Sequence, residues 1–294
     1  MAAELGTIGA PEATSATSSA PPAPRPAGQV ADLELRRVVV TYNRVAVAIQ
    51  EVSLRVPAGR VVAVLGANGA GKTTTLRAVS GFLPGDGAAV TGGTVLYGHA
   101  DLTGRKPHVV ARRGVVLIPE RHKVFATLSV EDNLRCVPVP KDRGDHAATL
   151  ALIDELFPVL SKRRRQLAGY LSGGERQMLA IAKALLLEPN VLLADELSLG
   201  IAPALLTRIL EAVRQINAQR GASVLLVEQN AAAALEIADH VYVLETGRVV
   251  LDGTPAELTE HADVQNFYLG TSDGSGERSY ADVKQYRKAR RWAR

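Results

Sequence analysis

The segment GANGAGKTT, Gly66 to Thr74, sets three glycines, a lysine and two threonines within nine residues. Anionic phosphates need many donors in a small concavity, and a glycine-rich loop offers backbone N–H groups with no Cβ in the way. Gly66, Ala67, Asn68, Gly69, Ala70 and Gly71 form such a loop. Lys72 adds a point charge for the β- and γ-phosphates of ATP, the Thr73 hydroxyl can ligate Mg²⁺, and Thr74 follows it into the same turn. The pattern requires a strand before the loop and a helix after it. Here RVVAVL reads as a buried strand and KTTTLRAVSGF as a helix.

A second stretch, VLLADELSLG from Val191 to Gly200, is an apolar run that ends in two adjacent carboxylates, Asp195 and Glu196. Side chains alternate faces along a strand, so both acids cannot follow the apolar set into a core. A strand edge surfacing into a loop is one reading. The other is a strand whose carboxyl end faces a cation and a reactive water. In the P-loop arrangement a second strand ends in an acid that holds Mg²⁺, which gives Asp195 that role. Glu196 can then accept the proton of a water attacking the γ-phosphate.

A third stretch, LSGGERQ from Leu171 to Gln177, is a glycine-rich helix start preceded by a serine. Ser172 and the amides of Gly173 and Gly174 form another donor set at a positive helix end. One chain with two phosphate-binding termini suggests an ATP shared between two copies.

Strands and helices must place these groups. LELRRVVVTY and QEVSLRVPAG read as short strands separated by turn residues, and RGVVLIPE as a core strand ending in a carboxylate. Apolar spacing is helical from SVEDNL to QLAGYL, and GGERQMLAIAKALLLEP is a helix that stops before Pro189. NVLLAD, SVLLVEQ and VYVLETGRVV read as strands, with helices PALLTRILEAVRQINAQ and AAAALEIADH between them. Strands alternating with helices imply an α/β fold around a largely parallel sheet.

Composition bounds the class. With 294 residues and 47% hydrophobic content the chain can fill a sizeable core. A single cysteine, Cys136, excludes an intramolecular disulfide framework and fits a reducing compartment. No stretch reaches the ~18 apolar residues of a membrane span. Residues 1–29 are rich in Ala, Pro, Ser and Thr, lack the signature of a secretory signal, and read as a disordered tail. Residues 271–294 hold seven bases and three acids, which accounts for the whole net charge of +4. The near-neutral remainder gives no ground for expecting a nucleic-acid partner.

In this order and spacing, GANGAGKTT, LSGGERQ and VLLADE resemble the ATP-binding cassette of ABC transporters across about residues 30–270. The resemblance implies a P-loop NTPase with a RecA-like core, an antiparallel β subdomain and a helical subdomain. It implies ATP and Mg²⁺ as cofactors. It also implies a second cassette, identical or different, closing head to tail on two ATPs. Two separate transmembrane permease subunits and, indirectly, a periplasmic or extracellular solute-binding protein would complete the assembly at the cytoplasmic face of the cell membrane. By matching position, Tyr42 would stack on adenine. Glu120 stands where most cassettes have a glutamine that senses Mg²⁺ and the transmembrane partner. Gln229, in LLVEQN, stands where most have a histidine that contacts the γ-phosphate. These choices, with SLGIAP, resemble the second ATPase of bacterial branched-chain amino-acid importers. The residue after Glu196 is normally proline and here is Leu197, which leaves the bend freer and Glu196 more loosely placed.

Two other functions compete with import. One is a soluble ABC protein acting on DNA or ribosomes, although the tandem cassettes, coiled-coil insertions and zinc motifs of those families are missing. The other is a regulatory cassette with little turnover, prompted by Leu197 and Gln229. Finally, Tyr280, Val283, Tyr286 and Trp292 recur at about helical spacing among the terminal bases. That tail reads either as a solvated extension or as an amphipathic helix lying on an anionic membrane surface or a permease loop.

Overall fold

The computed structural model describes residues 30–138, 146–261 and 264. The two expected tails, 1–29 and 271–294, lie outside the described residues. In chain order the elements are β1 (Leu33–Tyr42), β2 (Ala46–Val56), β3 (Val61–Leu65), α1 (Lys72–Ser80), β4 (Ala88–Tyr97), β5 (Ala100–Asp101), α2 (Pro107–Arg112) and β6 (Val115–Ile118). There follow α3 (Val130–Arg135), α4 (His146–Leu156), α5 (Pro158–Lys162), α6 (Gly173–Leu186), β7 (Val191–Asp195) and α7 (Pro203–Arg220). The chain continues through β8 (Ser223–Glu228), α8 (Ala231–Ile237), β9 (His240–Glu245), β10 (Arg248–Gly253) and α9 (Pro255–Glu260).

Two sheets form. One is antiparallel in the order β2-β1-β4-β5; the other runs β10-β9-β3-β8-β7-β6, parallel except for β10. Every residue of β3, β7 and β8 is buried. That is why these strands read as unbroken apolar runs: a parallel strand covered on both faces has no polar side. On one face Val62, Val64, Val191, Leu193, Leu225 and Val227 pack with Leu76 and Val79 of α1 and with the antiparallel sheet. On the other, Leu192, Ala194, Val224 and Leu226 pack with α6 and α7. Helices α3, α4 and α5 pack on α6, which gives the expected helical unit.

Two sequence readings need revision. VYVLETGRVV is a hairpin and not one strand, because Thr246 (φ 47°) and Gly247 (φ 73°) take left-handed conformations that reverse the chain between β9 and β10. Two successive positive φ values match the twist of a tight hairpin. The helical stretch before LSGGERQ is several short helices. One break falls at Phe157, before Pro158, since proline cannot donate to the preceding turn and starts α5 instead.

Candidate active site

The site lies at the carboxyl ends of β3, β7 and β8, the place where an open parallel sheet leaves a crevice for ligands. After β3 the chain enters the glycine loop. A Cβ on Gly66 would come 2.4 Å from the Leu244 carbonyl oxygen, so no side chain fits where the loop crosses β9. From the hairpin after β9, the Gly247 amide donates to the Ala70 carbonyl at 2.9 Å and braces the loop from outside. Helix α1 then starts at Lys72 with no side-chain cap, which leaves its first amides available to an anion.

Lys72 is 4% exposed, and its Nζ donates to the carbonyls of Gly66 at 2.8 Å and Ala67 at 3.1 Å. The same ammonium pairs with Glu196 Oε1 at 3.1 Å. Thr73, the second residue of α1, lies beside the end of β7, where its Oγ1 donates to Asp195 Oδ1 at 3.0 Å. Tyr42, at the end of β1, has its Oη 3.2 Å from Thr74 Oγ1, so the expected adenine-stacking residue borders the same helix start.

Alternation along β7 explains Asp195. Val191 and Leu193 face α1, and Asp195 continues that series toward Thr73. Burial pushes the Asp195 carboxyl up to about 6; the Thr73 hydrogen bond opposes this, and the nearby Glu120 and Glu196 carboxylates add to it. Ordinary alternation would send Glu196 to the opposite face. Instead its backbone is left-handed, φ 46°, and the carboxylate turns to Lys72. Both acids are therefore buried, Asp195 at 3% and Glu196 at 8% exposure.

Where the resemblance expects proline, Leu197 is fully buried in the core against α6 and α7, so side-chain packing stands at this bend in place of the ring constraint. On the other side, the Glu196 amide donates to the Val227 carbonyl at 3.0 Å.

The remaining residues named from sequence fall around this centre. Glu120, two residues past β6, is half-buried and lies close enough to raise the Asp195 carboxyl; Arg121 Nε donates to it at 3.0 Å. Gln229 follows β8 directly and is exposed. Ser172, Gly173 and Gly174 do not join the Lys72–Asp195 cluster; they begin α6. Ser172 Oγ accepts from the Glu175 amide at 3.2 Å, and Glu175 Oε2 accepts from the Ser172 amide at 2.8 Å. This capping box uses the serine's lone pair and leaves its hydroxyl proton free to donate. A Cβ on Gly174 would lie 1.9 Å from Leu205 Cδ2, so the glycine lets α6 approach α7.

Thr73 and Asp195 fit Mg²⁺. Both offer hard oxygens, and a divalent ion would offset the burial cost that drives Asp195 upward. Among the described residues no group of three or more His, Cys, Asp and Glu is placed to hold a metal, so the two would share an ion with substrate oxygens and water.

Sequence reasoning missed three supporting groups. Lys123 Nζ donates to Gln177 Oε1, tying the segment after Glu120 to α6, and Lys183 sits 4.4 Å over the Phe125 ring. Glu228 is fully buried at the end of β8. Its signal was available: a buried strand ending in a carboxylate, the same pattern that singled out Asp195 and Glu120.

Comparisons with known proteins agree with this geometry. The ABC transporter family model matches residues 49–198. The chain is 40% identical over 232 residues to the high-affinity branched-chain amino acid transport ATP-binding protein BraG of Pseudomonas aeruginosa, covering 79% of this chain and 97% of that one. It is 34% identical over 228 residues to the lipopolysaccharide export system ATP-binding protein LptB of Escherichia coli K12, covering 76% and 90%. Among solved structures, the ADP conformation of an ATP-binding cassette of an ABC transporter superposes with a TM-score of 0.69 at 25% identity, over 82% of this chain and 99% of that one.

Proposed function

This chain belongs to the ABC transporter family as an ATP-hydrolysing cassette, and from that premise we propose that it energises import of branched-chain or related amino acids through separate permease subunits. The observation that carries this reading is the likeness to BraG, which spans 97% of that protein's length at 40% identity. Glu120, Gln229 and SLGIAP, the traits that resemble such importers, support it. No helix among the described residues is long and apolar enough to cross a membrane.

In the proposed reaction the loop from Gly66 to Gly71 and the first amides of α1 hold the phosphates, Lys72 neutralises their charge, and Tyr42 stacks on the adenine. Thr73, Asp195 and Glu120 would hold or sense Mg²⁺, which supplies charge neutralisation on the phosphate oxygens. Glu196 takes the proton of the attacking water, and Gln229 hydrogen-bonds the γ-phosphate. Ser172, Gly173 and Gly174 lie apart from Lys72 because they serve the ATP of a second cassette, the same or a different chain. Such a dimer would sit peripherally at the cytoplasmic face of the membrane.

Reconstitution tests the assignment. The chain is co-purified with candidate permeases and a solute-binding protein, and ATPase activity is measured in proteoliposomes with each solute. Stimulation by leucine, isoleucine or valine with matching uptake is expected. The likeness to LptB makes export the competing outcome: stimulation by lipopolysaccharide with export-type partners, and none by amino acids, would overturn import.

A further inference from the structure

Glu228 is fully buried, and none of the steps above uses it. A buried carboxylate is costly unless several donors satisfy it. Two do, both from Ser198, two residues after Glu196: its amide donates to Oε1 at 3.0 Å and its hydroxyl to Oε2 at 2.5 Å.

We propose that Glu228 is a positioning residue for ATP hydrolysis: by accepting two hydrogen bonds from Ser198 it fixes the backbone after Glu196 and aims the Glu196 carboxylate at the phosphate loop. A left-handed φ on a non-glycine residue is strained and persists only where the surroundings over-determine it. Glu196 has φ 46° and meets that condition. Its own amide is held by the Val227 carbonyl, and Ser198, two residues on, is held by the Glu228 carboxylate. Adjacent residues of β8 thus grip Glu196 from both sides. The grip extends further: the Ser198 carbonyl accepts from the Ile201 amide at 3.2 Å, and Ile201 and Leu205 border Gly174. One carboxylate therefore fixes both the base and the loop beside the second phosphate-binding terminus.

The proposal rests on Glu196 as the base, and the experiment separates the two. ATPase kcat and KM, affinity for a non-hydrolysable ATP analogue and Tm are measured on full-length protein. The variants are Glu196→Gln, Glu228→Ala, Glu228→Gln, Ser198→Ala, Ser198→Thr and Ser198→Ala/Glu228→Gln. Glu228→Ala should lower kcat ~10-fold or more while analogue affinity stays within about twofold, because only transition-state geometry is lost. Ser198→Ala should lose turnover and Ser198→Thr, which keeps the hydroxyl, should regain it. The double variant should lose less than the product of its two single losses, because both singles break one contact. Parent kcat in folded Glu228→Ala, or equal losses of kcat and affinity tracking Tm, would overturn the proposal. If Glu228→Ala does not fold, Glu228→Gln and Ser198→Ala decide by the same criteria. Parent kcat in Glu196→Gln would instead remove the base assignment itself.

Discussion

Lys72 and Glu196 form a buried ion pair, Nζ to Oε1 3.1 Å, that joins the phosphate loop to the residue proposed as the base. The lysine's remaining hydrogen-bond capacity goes to the carbonyls of Gly66 and Ala67. The pair thus places the phosphate loop's side-chain cation and the proposed base in direct contact.

Lys72→Ala should therefore remove both nucleotide binding and stability. Removing one partner of a buried pair leaves the other uncompensated, at a cost of ~3 kcal/mol. Thermal melts and ATP binding should both fall, and Lys72→Ala/Glu196→Gln should recover stability without recovering binding. Near-normal ATPase activity in folded Lys72→Ala would rule out the site.

Glu196→Gln should bind ATP and hydrolyse it ~10²-fold or more slowly, the scale for removing a general base. Light scattering should show an ATP-dependent dimer that persists. An unchanged hydrolysis rate would show that another group takes the proton.

At Gln229 an amide can hydrogen-bond a γ-phosphate but cannot carry charge as an imidazolium does. Gln229→His should remain active, and Gln229→Ala should lose hydrolysis more than binding. Because the side chain is exposed at the end of β8, a comparable drop in Tm is not expected, and one would point to a role in folding.

Leu197→Pro should destabilise the protein by roughly 1–3 kcal/mol, since it empties part of the space filled by a fully buried leucine. Unchanged denaturation midpoints would show that the family's proline fits this bend without loss.

Without nucleotide or Mg²⁺, stability should fall as pH rises from about 4 to 7. The Asp195 carboxyl titrates near 6 in the folded protein, above the 3.8 of an ordinary aspartate, so the folded state binds more protons across that window. Burial raises Glu228 in the same direction. Asp195→Asn should flatten the pH dependence of Tm, and Mg²⁺ with ATP should reverse it for the parent. A parent profile identical to that of Asp195→Asn would count against the shift.

The sequence by itself determined the chemistry and the order of the elements. GANGAGKTT, LSGGERQ and VLLADE specify a phosphate loop, a capped helix start and a carboxylate pair through local spacing. Unbroken apolar runs reveal strands buried on both faces, since burial is written into each residue. Tertiary structure alone decided where the carboxylates point. Strand alternation predicts Asp195 correctly and fails at Glu196, whose backbone is left-handed, with its amide on the Val227 carbonyl and Ser198 on the Glu228 carboxylate. Those partners are some thirty residues away in the chain and adjacent only because β7 and β8 pair in the sheet. A departure that looked like looseness at Leu197 is likewise a core contact, because packing against α6 and α7 depends on the fold and not on the bend's own sequence.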